Sequence, residues 1–225
     1  MSFPFNGTVY GPLLNFRREL GLALPLAGAA PYKAAPKAPV LYIKTANTWS
    51  AGGSTIAVPA RLASVELGAT LGLVIGRALH RPTPEQAWAS VAGLVLMNDL
   101  SVPHSVQAQG FYRPPVKYKC LDGFLGVGST MRPAGSAQDL AALQIQLRVN
   151  GDLVQTIDLK NMVRPAPQLL ADVGEFMTLQ PGDVLMLGLD CLEGGTRPLA
   201  RAGDRIEISA PGFEPLFNRL TGEAA

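Results

Sequence analysis

The segment 143–149 alternates strictly between apolar and polar side chains, and this pattern limits the fold more than any other part of the chain. Successive side chains of a β-strand point to opposite faces, so the alternation predicts a strand with one buried face and one wet face. Asn150 and Gly151 follow at once, and a second apolar-rich run extends over residues 153–157. Because Asn-Gly favours a two-residue turn, these runs predict an antiparallel β-hairpin.

Glycine and proline are abundant in the rest of the chain, with 24 and 19 residues among 225. Each interrupts helices and strands and favours turns, so we expect short elements in a mainly β (α+β) architecture. Hydrophobic residues make up 48% of the chain and charged residues 16%, which is enough apolar surface for a substantial core. We therefore expect a single domain over residues 1–225.

Charge and hydropathy exclude two classes of partner. The formal net charge is +2 and no run of like charges concentrates it, so we expect no binding to nucleic acid. No stretch reaches the roughly 18 consecutive apolar residues that a membrane span requires. The first residues also lack the charged start of a secretory signal, so we expect a cytoplasmic protein without membrane contact.

Further elements are predicted from local pattern. Strands are predicted at 40–44, 68–76, 184–187 and 205–209, and the run at 68–76 is apolar throughout, as in a strand buried on both faces. Thr83 and Pro84 predict the start of a helix that ends near Gly93. A second, amphipathic helix is predicted over 165–177 with an apolar face of Leu169, Leu170, Val173, Phe176 and Met177.

The first 39 residues are predicted to form a loop-rich opening segment that acts as a lid. Pro31, Pro36 and Pro39 disfavour helix in the residues before them and force an extended path into the strand at 40–44.

Several motifs, taken in order along the chain, resemble the fumarylacetoacetate hydrolase family. They are Pro31-Tyr32-Lys33, Tyr42-Ile43-Lys44, Asn98-Asp99, Phe111-Tyr112-Arg113-Pro114 and Lys119-Cys120-Leu121-Asp122-Gly123. The resemblance covers nearly the whole chain and implies the family fold, a mixed β-sandwich roll with a few short helices. It is greatest to the N-terminal half of those members that isomerise and decarboxylate ring-cleavage products of homoprotocatechuate.

The resemblance implies an isomerase/decarboxylase of 2-oxo or 2-hydroxydienoic dicarboxylates in 4-hydroxyphenylacetate catabolism. The expected activities are 2-hydroxyhepta-2,4-diene-1,7-dioate isomerase and 5-carboxymethyl-2-oxo-hex-3-ene-1,7-dioate decarboxylase, which share an enolate intermediate. The family relation also implies a homodimer, or a hetero-oligomer with a metal-binding homologous subunit.

Active family members hold a divalent cation, usually Mg²⁺, with a Glu-x-Glu pair on one strand and an aspartate on a later strand. Asp99 matches the aspartate, but Gly68 and Thr70 stand at the positions of the pair and supply no carboxylate. Glu66 lies two residues upstream on the same strand face and is the candidate replacement ligand for Mg²⁺ or another divalent cation. The alternative for Glu66 is a solvent-facing glutamate.

The opening segment supplies candidate acid/base and binding residues. Glu19 stands at the position of a family lid histidine, so the resemblance implies an acid/base role for its carboxylate. Arg17 and Arg18 on the same lid suit a dicarboxylate, which arginine binds through paired hydrogen bonds. The alternative is that these three residues form a solvated charge cluster.

The central motifs supply the remaining candidates. Lys119 matches the family lysine that faces the substrate, where an ammonium group can stabilise enolate charge. His104 lies in a loop after Asp99 and is a candidate acid/base because imidazole titrates near neutrality. The substrate-binding positions that flank the same pocket are Lys44, Asn47 and Arg113, with solvated side chains or a structural salt bridge as alternatives.

Two other functions stay open. The chain could be a hydrolase or tautomerase of another 2-oxo acid, or a catalytically silent partner subunit that keeps the fold for assembly. The partner-subunit alternative is based on three family features that are altered together in this chain. These are the missing Glu-x-Glu pair, Glu19 at the histidine position, and Gly188-Leu189-Asp190 in place of a family Gly-Thr-Pro loop.

Overall fold

The computed structural model describes residues 3–28, 34–106 and 115–223. The strands in these ranges are β1 (Val9–Leu13), β2 (Val40–Lys44), β3 (Trp49–Ala51), β4 (Thr55–Val58), β5 (Val65–Glu66), β6 (Ala69–Ile75), β7 (Val91–Asp99), β8 (Leu125–Val127), β9 (Gln144–Val149), β10 (Asp152–Asp158), β11 (Val184–Met186), β12 (Leu199–Ala200), β13 (Arg205–Ser209) and β14 (Leu216–Gly222). The helices are α1 (Arg17–Ala27), α2 (Pro84–Trp88), α3 (Pro115–Lys119), α4 (Ala137–Ala141) and α5 (Ala166–Phe176). Among the described helices, none combines the length and the apolar character needed to cross a membrane.

Two mixed sheets form the body of the fold. The larger has seven strands in the order β2-β1-β11-β6-β7-β8-β3, and the smaller has five in the order β10-β9-β13-β14-β4. The pairs β1–β11, β3–β8 and β4–β14 are parallel, while the other neighbours in these sheets are antiparallel. Strands β5 and β12 form a separate antiparallel pair. The mainly β (α+β) architecture expected from the sequence is confirmed.

The main apolar core combines side chains of both sheets. Leu71 of β6 and Leu96 of β7 belong to one buried cluster with Leu147 of β9 and Ile208 of β13. Helix α5 adds Leu169, Leu170 and Val173 to the same cluster. Burying one such side chain fully contributes about 1.5–3 kcal/mol to stability, so this cluster is a major source of stability for the sandwich.

A second apolar cluster covers the opposite face of the larger sheet. It contains Val74 of β6 and Met97 of β7, and Phe5 from the segment before β1 belongs to it. All seven residues of β6 are buried. The prediction that the run at 68–76 forms a strand buried on both faces is therefore confirmed.

The hairpin predicted from alternation is formed by β9 and β10, which pair antiparallel. Asn150 and Gly151 have φ values of 53° and 95°, the positive values that a tight two-residue hairpin turn requires. Ile145 and Leu147 are buried, whereas Gln144 is exposed. The alternation thus separates a core face from a solvent face, as predicted.

The two predicted helices exist, with differences at their ends. Helix α2 has the expected Thr83 cap, which accepts a hydrogen bond from the backbone of Gln86. The prediction that it ends near Gly93 was wrong, because Val91 already begins β7 and pairs with Ile75. Helix α5 lies within the predicted range, but Phe176 in its last turn is 56% exposed instead of facing the core.

The prediction that residues 1–39 are loop-rich was wrong for residues 9–13 and 17–27, whereas residues 34–39 form no helix or strand. Strand β1 pairs with β2 and β11 inside the larger sheet, and α1 follows it. The prediction was based on prolines, but Pro12 lies within β1 and Pro25 lies within α1. Helix α1 has no buried residue, and Gly21 and Pro25 lie in its interior, where both residue types disfavour a helix.

The larger sheet curls, and this brings edge strand β2 to the end of β7. Tyr42 and Lys44 of β2 contact Asp99, although β1, β11 and β6 lie between these two strands in the sheet. Lys119, the last residue of α3, reaches the same carboxylate. The curl therefore gathers polar side chains from three separate elements at one point.

Candidate active site

Asp99 ends strand β7 and lies fully buried between two lysines. The Nζ atom of Lys44 is 2.8 Å from Oδ1, the Nζ atom of Lys119 is 2.8 Å from Oδ2, and the hydroxyl of Tyr42 also donates to Oδ2. Burial alone would raise the pKa of Asp99, but the ammonium groups of Lys119 and Lys44 hold it well below its ordinary value. Asp99 is therefore an ionised carboxylate shared by two buried cations.

The ammonium group of Lys44 is buried and binds other groups of the chain. The residue is 1% exposed, and its Nζ donates to the carbonyl oxygens of Leu100, at 3.0 Å, and Lys119 in addition to its ion pair with Asp99. Two carbonyl hydrogen bonds and one ion pair thus hold the ammonium group. The predicted substrate-binding Lys44 is thus placed to fasten Asp99 and the end of α3, not to reach a ligand.

Lys119 differs from Lys44 because its side chain lines a cavity. Its Nζ donates to Asp99 and lies 4.3 Å from the centre of the Tyr42 ring. Burial lowers the pKa of Lys119 to about 8; the Asp99 charge opposes this shift, and the charges of Arg197 and Lys44 add to it. A desolvated ammonium group of this kind can stabilise negative charge that develops on a bound molecule.

Two cavities share Glu19, His104 and Arg197 in their walls. The larger has a volume of about 580 Å³ and adds Lys119, and the smaller has a volume of about 240 Å³ and adds Glu66. A cavity of several hundred Å³ with few polar groups suits a small molecule. The apolar part of the larger wall includes Leu13, Leu14, Ala23, Leu26, Ala27 and Val40.

Glu66 and His104 form a hydrogen-bonded pair at the wall of the smaller cavity. The buried carboxylate of Glu66 accepts the backbone N–H of His104 at 2.7 Å, and its other oxygen lies 2.7 Å from Nδ1 of the ring. Burial alone would raise the pKa of Glu66, but these contacts with His104 lower it. When Nδ1–H donates to this carboxylate, Nε2 is the proton acceptor, and the ring is 62% exposed. The pair can therefore take up and return protons.

Glu19 of α1 is held by two donors. Its Oε2 accepts the backbone N–H of Leu14 at 2.9 Å, and its Oε1 lies 2.7 Å from Nη2 of Arg197. Burial alone would lower the pKa of Arg197, but the charge of Glu19 and other nearby anionic groups raise it. Sequence reasoning missed Arg197, since the stretch Gly194-Gly195-Thr196 before it matches no motif and Glu19 lies far away in the chain.

Arg17 and Arg18, the other two charged candidates of the opening segment, do not line these cavities. Arg17 is exposed, and Arg18 is largely exposed and donates from Nη1 to the carbonyl oxygen of Cys191 at 2.6 Å. Arg18 thereby fastens the first turn of α1 to the loop after β11. The structure thus places neither arginine at the cavities, although both were predicted to bind a dicarboxylate.

Asn47 lies outside the cavities as well and braces a loop. Its Nδ2 donates to Oδ1 of Asp122 at 2.6 Å and to the carbonyl oxygen of Cys120 at 3.1 Å. The Asp-Gly part of the central motif is thus tied to the turn after β2, with Gly123 at a φ of 76°. Arg113, the last predicted binding residue, lies outside the described residues.

The predicted metal ligands do not fit a divalent cation. Asp99 is occupied by two ammonium groups and Glu66 by His104. A Cβ added to Gly68 would lie 2.7 Å from the carbonyl oxygen of Asp99, and Thr70 donates its hydroxyl proton to the carbonyl oxygen of Gly188. Across residues 3–28, 34–106 and 115–223, no group of three His, Cys, Asp or Glu side chains could hold a metal ion.

Residues 8–221 match the sequence profile described as "Fumarylacetoacetate (FAA) hydrolase C-terminal", and the chain belongs to the fumarylacetoacetate hydrolase family. The resemblance seen in the motifs is thereby confirmed. The chain is 35% identical over 217 residues to the 4-hydroxyphenylacetate degradation bifunctional isomerase/decarboxylase of Escherichia coli, which covers 96% of this chain and 48% of that protein. It thus spans about half the length of the curated relatives of this type.

Solved structures share the fold at lower identity. A 5-carboxymethyl-2-hydroxymuconate delta-isomerase from Mycobacterium smegmatis superposes with a TM-score of 0.77 at 22% identity, over 98% of this chain and 81% of that one. A fumarylpyruvate hydrolase from Pseudomonas aeruginosa, solved with Mn²⁺ and pyruvate, gives 0.76 at 21% identity, over 99% and 92%. The family fold implied by the sequence, a mixed β-sandwich roll with few helices, is confirmed. The bound Mn²⁺ is a property of that hydrolase.

Proposed function

We propose that the chain binds a 2-oxo dicarboxylate and interconverts its enol and keto forms, as an isomerase/decarboxylase of 4-hydroxyphenylacetate catabolism in the cytoplasm. The observation that carries the proposal is the pair of adjoining cavities at which Lys119, the Glu66–His104 pair and Arg197 meet. The likeness to the Escherichia coli bifunctional isomerase/decarboxylase supports the substrate class. The substrates would be 2-hydroxyhepta-2,4-diene-1,7-dioate and 5-carboxymethyl-2-oxo-hex-3-ene-dioate.

Isomerisation requires one proton to leave an oxygen and one to reach a carbon. His104, with Nδ1–H held by Glu66, accepts the proton of the 2-hydroxyl group at Nε2. The electron pair of the broken O–H bond forms the C2=O group as the double bonds shift, and Lys119 stabilises the dienolate charge at that oxygen. Return of the proton to C5 forms a C–H bond and gives the 2-oxo-3-ene isomer.

Decarboxylation can use the same groups. Cleavage of the bond to the departing carboxylate releases CO₂, and its electron pair is delocalised onto the 2-oxo oxygen as a dienolate. Lys119 faces the same charge as in isomerisation. His104, which has taken a proton from solvent at Nε2, donates it to the dienolate oxygen, and this gives 2-hydroxyhepta-2,4-diene-1,7-dioate. Neither reaction needs an oxidant, a reductant or a second substrate.

A supporting subunit is the second candidate function. It is favoured by the metal positions, where Gly68 leaves no room for a carboxylate and Asp99 is paired with lysines. The match covers 48% of the length of the Escherichia coli relative. In this case the chain acts as a homodimer or as a hetero-oligomer with a metal-binding homologous subunit.

The test follows the loss of conjugated dienol absorbance of 2-hydroxyhepta-2,4-diene-1,7-dioate with the purified chain alone. We expect turnover above the rate in buffer, and a Lys119→Ala variant should lose about 10²-fold or more of kcat, as when a charge-stabilising donor is removed. Lys117→Ala is the matched control, because Lys117 is exposed on the same helix and should leave the rate unchanged. A wild-type rate equal to that in buffer would instead favour the supporting subunit.

A further inference from the structure

Arg197 lies in the loop between β11 and β12. Of the two terminal nitrogens of its guanidinium group, Nη2 contacts Glu19, whereas Nη1 has no hydrogen-bond partner among the described residues. The residue is 8% exposed, and its Nη2 lies 2.7 Å from Oε1 of Glu19. Its Nη1 is buried and has no hydrogen-bond partner within the described part of the chain. An unpaired donor of a buried charged group is unfavourable, so native structures normally provide it with an acceptor. The free Nη1 is thus suited to an acceptor that a ligand brings.

The position of Arg197 indicates which part of a ligand it would meet. Arg197 lines both cavities, whereas Lys119 lines only the larger one. A molecule whose 2-oxo end lies at Lys119 therefore meets Arg197 at the boundary between the cavities. The intervening wall of the larger cavity is mostly aliphatic and suits a short hydrocarbon chain between two polar ends.

We propose that Arg197 binds the far carboxylate of a dicarboxylate whose 2-oxo end is held at Lys119. This inference rests on the proposed function and names the residue that selects dicarboxylates over monocarboxylates. The planar guanidinium group offers donors in a fixed fork that matches the two oxygens of a carboxylate. One arm of the fork already binds a carboxylate, that of Glu19, which shows that the group accepts this partner in its present position.

Helix α1 provides the means of access to Nη1. It contributes Glu19, Ala23, Leu26 and Ala27 to the wall of the larger cavity, and none of its residues is buried. An element with little buried surface opens at low free-energy cost. An arriving carboxylate can therefore reach Arg197 by displacing Glu19 and its helix slightly, and Glu19 competes with the ligand for the same guanidinium group.

A purely structural role for Arg197 makes a different prediction. If the arginine served only to fasten α1 through Glu19, removal of either partner would break the same ion pair and have the same effect on binding. If Arg197 binds the ligand, the two removals act in opposite directions. Arg197→Gln deletes the carboxylate site, while Glu19→Gln deletes its internal competitor.

The experiment measures the Kd of 2-oxoadipate and of 2-oxohexanoate by isothermal titration calorimetry. The two acids have the same carbon chain and differ only in the far carboxylate. The wild-type chain should bind 2-oxoadipate at least about tenfold more tightly, the effect of one hydrogen bond to a charged group. Arg197→Gln should abolish this preference, and Glu19→Gln should keep or increase it. Arg201→Gln, at an exposed arginine of a nearby loop, should change nothing.

Arg197→Lys covers the case in which Arg197→Gln does not fold, because it keeps the charge, loses the fork and should reduce the preference only in part. Equal binding of both acids by the wild type would overturn the inference and leave the proposed function standing. Parallel weakening by Arg197→Gln and Glu19→Gln would overturn it in favour of the structural role. Binding of neither acid would overturn the proposed function and the inference with it.

Discussion

The buried Asp99 carboxylate holds the candidate site together at the residue scale. It joins β7 to β2 through Lys44 and to α3 through Lys119. A single buried ammonium group would be costly, and two are tolerated here because they share one ionised carboxylate. The same arrangement leaves Lys119 at the cavity wall as the cation that a ligand meets.

Replacing Asp99 by Asn should therefore destabilise the fold strongly. The substitution leaves the ammonium groups of Lys44 and Lys119 buried without an anion, and breaking a buried ion pair in this way costs about 3–5 kcal/mol. Urea denaturation should show a corresponding decrease in the free energy of unfolding. Asp152→Asn, at an exposed position of the hairpin, should change that free energy by less than about 0.5 kcal/mol.

The double variant Asp99→Asn/Lys44→Met serves as a check on this reason for the loss. Because it removes one of the two uncompensated charges, it should be more stable than Asp99→Asn alone. If the two substitutions simply added their losses, the lysines would not depend on Asp99 for their burial.

The lowered pKa of Lys119 predicts a pH limit on turnover. Below about 8 the side chain is an ammonium ion that can stabilise the dienolate, and above about 8 it becomes a neutral amine. Because the charged form is the active one in the proposed function, kcat/KM should fall as the pH rises through about 8. In Lys119→Arg the cation persists at all these pH values, so any remaining activity should show no decrease there. An identical alkaline decrease in both proteins would assign it to another group.

At the scale of elements, sequence patterns predicted those structures that are determined by neighbouring residues. The hairpin of β9 and β10 follows from alternation and an Asn-Gly turn, and β6 follows from a continuous apolar run. Helix α1 was missed because Gly21 and Pro25 lie in its interior, where both residue types disfavour a helix. Strand β1 was missed because its partners β2 and β11 lie at distant parts of the chain.

The same distinction applies to the candidate site. Lys119, His104 and Glu19 could be named from motifs and from the resemblance, and all three line the larger cavity. The pairings of these residues could not be predicted, although Asp99 and Glu66 were named as candidate metal ligands. Glu66 pairs with His104 across 38 residues and Glu19 with Arg197 across 178, and only the folded sheet brings them together.

For the whole molecule, the curl of the larger sheet explains why Lys44, predicted to bind substrate with a solvated side chain as the alternative, is buried. A lysine at the end of an edge strand is normally in water, and β2 is an edge strand. Here the curl carries that edge against the end of β7 and α3, so that Lys44 is buried. The space beside Asp99 thus contains an ammonium group from the chain itself.

This packing predicts that the chain alone does not bind a divalent cation at Asp99. Mn²⁺ prefers oxygen ligands in octahedral arrangement, and here the carboxylate oxygens face ammonium groups while position 68 has no room for a side chain. Titration with Mn²⁺, followed by electron paramagnetic resonance, should show no stoichiometric binding to the wild type. Gly68→Glu should not create a site, because even a Cβ at that position would lie 2.7 Å from a backbone oxygen. Stoichiometric binding by the wild type that Asp99→Asn abolishes would contradict this, and would show that Lys44 and Lys119 give way to a metal.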